Sequence, residues 1–294
     1  MTDIESDGLS PGWKAIASAL FIFFWASGFI AAKFGLPYAE PFTFLTLRFL
    51  VALLILIPLS MIWRATWPRP PRTFGHVVVA GLMVGTAYLI GVFYAVYLGI
   101  STGVIALIVG LQPLITGSLA APVLGEHVST KQWVGLALGF IGLGLVVAEK
   151  VNFASGEAWG AALGLLALIG ITLGTLYQKK FCSGVDIRAS VTIQNAVSLV
   201  VIAPLAFTFE TMEVQWTGEF YFALLWSAIG LSVIAIALYY FLVRRGAAAE
   251  VSSLIYLSPP TTALMGWLMF DETFAALALA GMAIAVAGVA LANR

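Results

Sequence analysis

Turn and charge punctuation divides this chain into ten predominantly apolar runs, at about 13–35, 42–63, 75–98, 101–124, 131–149, 157–178, 188–209, 219–243, 247–270 and 274–292. About 20 apolar residues is what a helix needs to cross a hydrocarbon layer. In lipid every backbone donor and acceptor must find its partner within the protein, which leaves helices or closed barrels as the spanning structures. Only 10% of the residues are charged and 61% are hydrophobic, whereas a soluble domain carries about 25% charged residues. An all-α integral membrane protein of ten transmembrane helices is therefore expected. The third and fourth runs are separated only by "LGIST", where Gly99, Ser101 and Gly103 favour a turn over one long helix. The longest connection, "RATWPRPPRTFGH", is too short to hide a soluble catalytic or sensory domain.

Charge and cysteine content exclude several functions. Lys+Arg and Asp+Glu are balanced at 14 each, so no basic footprint for nucleic acid exists. No Gly-rich phosphate loop with a following Lys-Ser/Thr is present, and a nucleotide-driven engine is not encoded. Cys182 is the sole cysteine, which rules out an internal disulfide and a cysteine-based zinc site. A membrane-embedded enzyme would need an acid/base or metal constellation within the spans; no His/Cys/carboxylate cluster supplies one, and neither cofactor nor metal is expected.

The segment "MTDIESDGLSPGWK" is acidic where a secretory signal would be basic, so the first run reads as a retained span, with residues 1–12 as a cytoplasmic tail. With both termini inside, eleven Lys/Arg fall on the inner side, only Lys33 and Lys150 on the outer side, and Arg48 within a span. That bias predicts a multi-pass inner-membrane protein with cytoplasmic termini. Trp13, Trp63, Trp67, Trp133, Trp159 and Trp216 fall near run ends, as an interfacial aromatic belt requires.

The stretch "LIYLSPPTTALMGWLMFDET" places Pro259 and Pro260 inside an apolar run and closes it with Asp271 and Glu272. A shift of 146 residues aligns it with "LIVGLQPLITGSLAAPVLGEH", matching Pro259 to Pro113, Thr262 to Thr116 and Glu272 to Glu126. The same offset pairs Trp159 with Trp13, Lys179 with Lys33, Pro204 with Pro58 and Gly288 with Gly142. Each half, 13–149 and 157–292, holds five spans. Because five is odd, the second half must enter the membrane in the opposite sense: an inverted-topology repeat, the architecture of alternating access around a central site.

These features resemble a known family. "FIFFWASGFIAAKFGL", "FLTLRFLVALLILIPL" and the doubled Pro-to-Glu segments look like the EamA domains of the drug/metabolite transporter superfamily, over essentially all of residues 13–292. The resemblance implies ten helices around a central cavity lined mainly by spans 1, 3, 4, 6, 8 and 9, and movement of small metabolites across the bacterial inner membrane. Many members of this length resemble amino-acid exporters, including the YddG-type carriers. Others handle sugars, nucleotide-linked sugars, purines or lipophilic cations.

The residues narrow the substrate. All carboxylates lie in tails, loops or within about a turn of a run's end, and neither His76 nor His127 is central. A mid-membrane acid is the expected counter-ion for a cationic drug and the commonest proton carrier, so facilitated movement is favoured over cation-for-proton exchange. Arg48 is the one charge inside a span; snorkelling or capping backbone carbonyls is the favoured role, substrate binding the other. Pro113 cannot bond the Val109 carbonyl, and Pro259 and Pro260 leave those of Ile255 and Tyr256 unpartnered. Exposed backbone at this depth is tolerated where it lines a cavity, so Gly110, Pro113, Pro259 and Pro260 are read as helix-break or gating positions. Beside them, Gln112, Ser252, Tyr256 and Ser258, with mid-span Trp25 and Tyr88, form an expected aromatic, uncharged substrate site. It suits a zwitterion with an apolar side chain, its ammonium meeting carbonyls or ring faces. Membrane lipid is the other expected partner. The alternatives are export of another small metabolite or drug, a sugar-type carrier, or a passive channel. Gly135, Gly139 and Gly142 read as close-packing positions. They leave the oligomeric state open, with a monomer expected.

Overall fold

The structure is a computed structural model that describes residues 11–112, 115, 116, 119, 129–150, 157–235, 238, 257–274 and 276–292. Its helices are α1 (Pro11–Gly35), α2 (Pro41–Ile62), α3 (Pro71–Tyr97), α4 (Thr102–Gly110), α5 (Thr130–Lys150), α6 (Glu157–Phe181), α7 (Ile187–Phe209), α8 (Gly218–Ala235), α9 (Ser258–Phe270) and α10 (Ala276–Ala292). Six of them (α1, α2, α3, α6, α7 and α8) are long and apolar enough to cross a membrane. Among the described residues the fold is all-helical, with a single bridge between Ala39 and Val214.

Local chemistry sets the boundaries. Pro41 and Pro71 open α2 and α3, where a missing N–H costs nothing. Asp186 and Thr217 cap α7 and α8 by accepting from the backbone N–H groups of Arg188 and Phe220. Between α3 and α4 the chain turns at Gly99, whose φ of 95° only glycine adopts without strain. At the end of α9, Asp271 takes a left-handed conformation with φ 51°, and the Glu272 N–H returns to the Gly266 carbonyl at 3.2 Å. Pro259 and Pro260, expected within a span, lie in the first turn of α9, where proline is preorganised for a helix start. Pro113, Ser252 and Tyr256 lie outside the described residues, as do residues 1–10 of the expected tail.

The 146-residue offset recurs in the helix boundaries. α1 and α6 begin at Pro11 and Glu157, α2 and α7 at Pro41 and Ile187, and α5 and α10 at Thr130 and Ala276. Two of these pairs pack directly on each other, and both run antiparallel. In α2 and α7, the Glu210 carboxylate just past the end of α7 reaches Phe42 and Thr43, whereas Ser60 and Thr192 hydroxyls meet at 2.9 Å at the other end. In α5 and α10, Gly142 lies against Gly281 and Ala285, whereas Gly288 lies against Gly135 and Gly139. A Cβ at Gly288 would stand 2.6 Å from the Gly135 carbonyl oxygen, so this seam closes only through bare backbone.

α3 and α8 each contain a stretch of wider, i→i+5 turns, Leu82–Ala87 and Trp226–Ala235. The first segment, shifted by 146 residues, falls within the second. The six Trp residues read as an interfacial belt are all exposed near helix ends.

Candidate functional site

A cavity of about 170 Å³ lies between α1, α2, α3, α7 and α8, so both halves of the chain contribute walls. Trp25 enters from α1, Arg48 and Phe49 from α2, Tyr88 from α3, and Gln194, Asn195 and Ser198 from α7. Both wide-turn stretches border it, through Val84 and Gly85 on one side and Leu231, Ser232 and Ala235 on the other. Such turns displace side chains from helical register and are frequent at functional sites.

The polar wall is built largely on one helix face. Val191, Gln194, Asn195 and Ser198 follow the i, i+3, i+4, i+7 rule, so α7 turns them together toward the cavity. Asn195 Nδ2 donates to the Val191 carbonyl at 2.8 Å, and Gln194 Nε2 to Ser190 Oγ at 3.0 Å. The Ser198 hydroxyl donates to the Gln194 carbonyl at 2.9 Å and accepts from Thr86 at 3.2 Å. Gly85 leaves the room that Ser198 occupies.

Arg48 departs from its favoured role. It is only 7% exposed, so it does not snorkel to an interface, and no hydrogen bond to a backbone carbonyl holds it among the described residues. Its place on α2 puts it roughly 10 Å from the helix start at 1.5 Å per residue, with the cavity in front of it.

Of the expected site residues, Trp25 and Tyr88 share this cavity. Gln112 does not border it and instead donates to Thr116 at 3.3 Å. Ser258 is buried at the start of α9, its hydroxyl without a partner among the described residues, and does not border this cavity. Gly110 and Pro259 meet one another: a Cβ at Gly110 would lie 2.5 Å from Pro259 Cγ, so the end of α4 packs on the beginning of α9. Pro260 is exposed. The resemblance implied walls from spans 4, 6 and 9. Among the described residues α2 and α7 line this cavity instead, whereas the described part of α9 packs on α4 and α1, and α6 packs on α3.

Near one end of the bundle Glu272 forms a second polar centre. Its carboxylate accepts from Lys33 Nζ at 2.7 Å, from the Thr102 N–H at 3.1 Å and from the Thr102 hydroxyl at 3.0 Å. It thus caps α4 and ties α1 to the loop after α9. Burial raises the carboxyl's pKa, but the Lys33 ammonium and the Thr102 donors more than offset this and hold it below its ordinary value. Glu210 does similar work beside it, accepting from the Phe42 and Thr43 N–H groups, the Thr43 hydroxyl and Tyr94 Oη at 2.7–2.8 Å. Glu40 completes the set by accepting from the N–H and hydroxyl of Thr211.

The model of the EamA-like transporter family matches residues 12–148 and again 158–294, two matches whose starts are 146 residues apart. The chain belongs to the EamA-like transporter family. Several relatives are similar over most of their length. The uncharacterized transporter YvbV of Bacillus subtilis is 27% identical over 95% of this chain and 91% of its own length. The uncharacterized inner membrane transporter YedA of Escherichia coli is 24% identical over 93% and 88%. A probable amino-acid metabolite efflux pump of Salmonella typhimurium is 23% identical over 92% and 91%. One crystal structure superposes with a TM-score of 0.68 at 19% identity, covering 96% of this chain and 97% of that one, which establishes a shared fold. As an EamA-like transporter of the drug/metabolite superfamily, the protein is a multi-pass membrane transporter.

Proposed function

We propose that this EamA-like transporter exports amino acids or similar small zwitterionic metabolites across the bacterial inner membrane by alternating access. In this reading ten spans form two inverted five-helix repeats, and both termini are cytoplasmic. The observation that carries it is the cavity between the halves, walled by aromatic rings and by amide and hydroxyl groups rather than by carboxylates. The antiparallel pairing of α2 with α7 and of α5 with α10 supports the inverted repeat. The Glu272, Glu210 and Glu40 contacts would then shut the outer end, and exchange of access would require them to open. The similarity to a probable amino-acid metabolite efflux pump of Salmonella typhimurium supports the substrate class.

The test is counterflow in proteoliposomes of the full chain with a panel of labelled amino acids. Saturable uptake driven by trans substrate is the expected result. Uptake proportional to concentration without saturation would mean a channel, and no uptake of any amino acid beside uptake of a sugar phosphate or organic cation would remove the substrate claim.

A further inference from the structure

We infer that Arg48 anchors a carboxylate of the transported molecule, so that the cavity selects compounds with one free carboxylate on an apolar body. This rests on the transport reading above and assigns the charge logic of its site.

The first ground is the state of Arg48 itself. A guanidinium carries five N–H donors and no acceptor, and it stays protonated. Arg48 is 7% exposed, its Nε is sealed from solvent, and no hydrogen bond or ion pair reaches the side chain among the described residues. A buried cation without a counter-ion or hydrogen-bond acceptor is strongly unfavourable unless a partner arrives. Within a membrane-spanning segment such a group faces the interior and marks a ligand path. Among the described residues no acid answers it, for none of those around the cavity is Asp or Glu.

The second ground is the company Arg48 keeps. Its counterpart 146 residues on is Gln194, a neutral amide on the same cavity wall. Among the described residues the site thus holds one cation, with charge complementarity for one anion. A dicarboxylate or a phosphate dianion would exceed it. Phe49, whose ring centroid is 6.0 Å from the Arg48 guanidinium carbon, and Phe93 and Trp25 give the same cavity apolar surface. Gln194 and Asn195 each use the amide nitrogen inside α7 or toward Ser190, which leaves the two carbonyl oxygens as acceptors for an ammonium. An amino acid with an apolar side chain meets all three demands, and its carboxylate is the part that Arg48 can hold in bidentate fashion.

Four probes separate the groups: L-phenylalanine, 3-phenylpropionate without the amine, phenethylamine without the carboxylate, and L-phenylalanine methyl ester with the carboxylate masked. Each is tested by thermal stabilisation of the purified full chain and by inhibition of counterflow in proteoliposomes. The two carboxylates are expected to act and the amine and ester to be at least about thirtyfold weaker, the loss that follows removal of one partner from a desolvated charge pair. Arg48→Gln, which copies the residue of the other half, should erase that preference, and Arg48→Lys should retain part of it. The probe series in the unaltered protein decides the matter even if neither variant folds. Equal potency of ester and acid overturns the inference, as does a folded Arg48→Gln protein with the original acid-over-ester ratio. Carboxylate-selective stabilisation without counterflow would uphold the anchor while removing transport of these probes. Counterflow indifferent to the carboxylate would do the reverse, and no response to any probe in either assay would overturn both.

Discussion

The two ends of the helix bundle are joined by different chemistry. At the Lys33 end, Glu272 and Glu210 reach from the second half onto the N-termini of α4 and α2 in the first, and Glu40 reaches back to Thr211. At the other end Asp186 caps its own helix and accepts the Thr66 N–H at 3.0 Å, while Arg188 donates to the Trp63 carbonyl at 2.6 Å. Carboxylates at helix N-termini benefit from both hydrogen bonds and the helix dipole, and at the Lys33 end they do so across the seam between halves. At the Asp186 end most of that benefit stays within one helix. Separating the halves should therefore cost more at the first end than at the second.

Glu272→Ala offers the largest test, since Glu272 is buried and its loss would strand Lys33 and uncap α4. A fall in stability of about 3 kcal/mol is expected, read from thermal unfolding in detergent. Lys33→Met should cost less, because the Lys33 side chain is 34% exposed and partly solvated already. Next comes Glu210→Ala, which removes an interhelical cap and the Tyr94 partner, with a loss of about 1–2 kcal/mol. Tyr94→Phe should recover only a small part of it in a double-mutant cycle. Smaller still is Asp186→Asn, under about 1 kcal/mol, because an amide oxygen can still cap α7. A loss at Asp186 equal to that at Glu272 would abolish the distinction between the ends.

Acid should weaken both ends in the same direction. The Asp186 carboxyl is held well below the usual carboxylate range by Arg188, against some burial, with help from the Thr66 N–H, and Glu272 is also lowered. A carboxyl lowered by folding contributes fully above its unfolded value of about 4 and loses that contribution as pH falls through its folded value. Stability should thus be flat with respect to these groups from about pH 5 to 8 and decline below, with a shallower decline in Glu272→Gln. Cys182 supplies a built-in reporter at the Asp186 end. It is 6% exposed and burial raises its pKa, so maleimide labelling should be slow in the resting protein and faster whenever that end loosens.

Helix boundaries were largely legible because lipid leaves the backbone few choices. The runs at 42–63, 131–149 and 188–209 became α2, α5 and α7 within about a residue at each end. The turn at Gly99 was likewise written in local chemistry. The cavity was less legible. In a helix without lipid-water contrast on its faces, apolar periodicity fades, so nothing local distinguished Trp25, which borders the cavity, from Gln112, which does not. A signal was present in the cluster of Gln194, Asn195 and Ser198 at helical spacing. Between the two roles open to Arg48 the sequence does not decide, because snorkelling depends on whether neighbouring helices bury the side chain, a tertiary fact. Glu272 pairs with Lys33 across 239 residues, a separation at which sequence spacing carries no contact information.

The seam between α5 and α10 has the geometry of an isologous contact: each side offers the other the same patch, as in a two-fold dimer. Two identical subunits joined this way would have to place the same residue twice across their axis, two arginines or two glutamines. Covalent fusion of the halves lifts that restriction. One copy keeps Arg48 while the other carries Gln194, and a nearly symmetric frame can hold a binding site that is polar in the vectorial sense, with a charged end and a neutral end for a molecule built the same way.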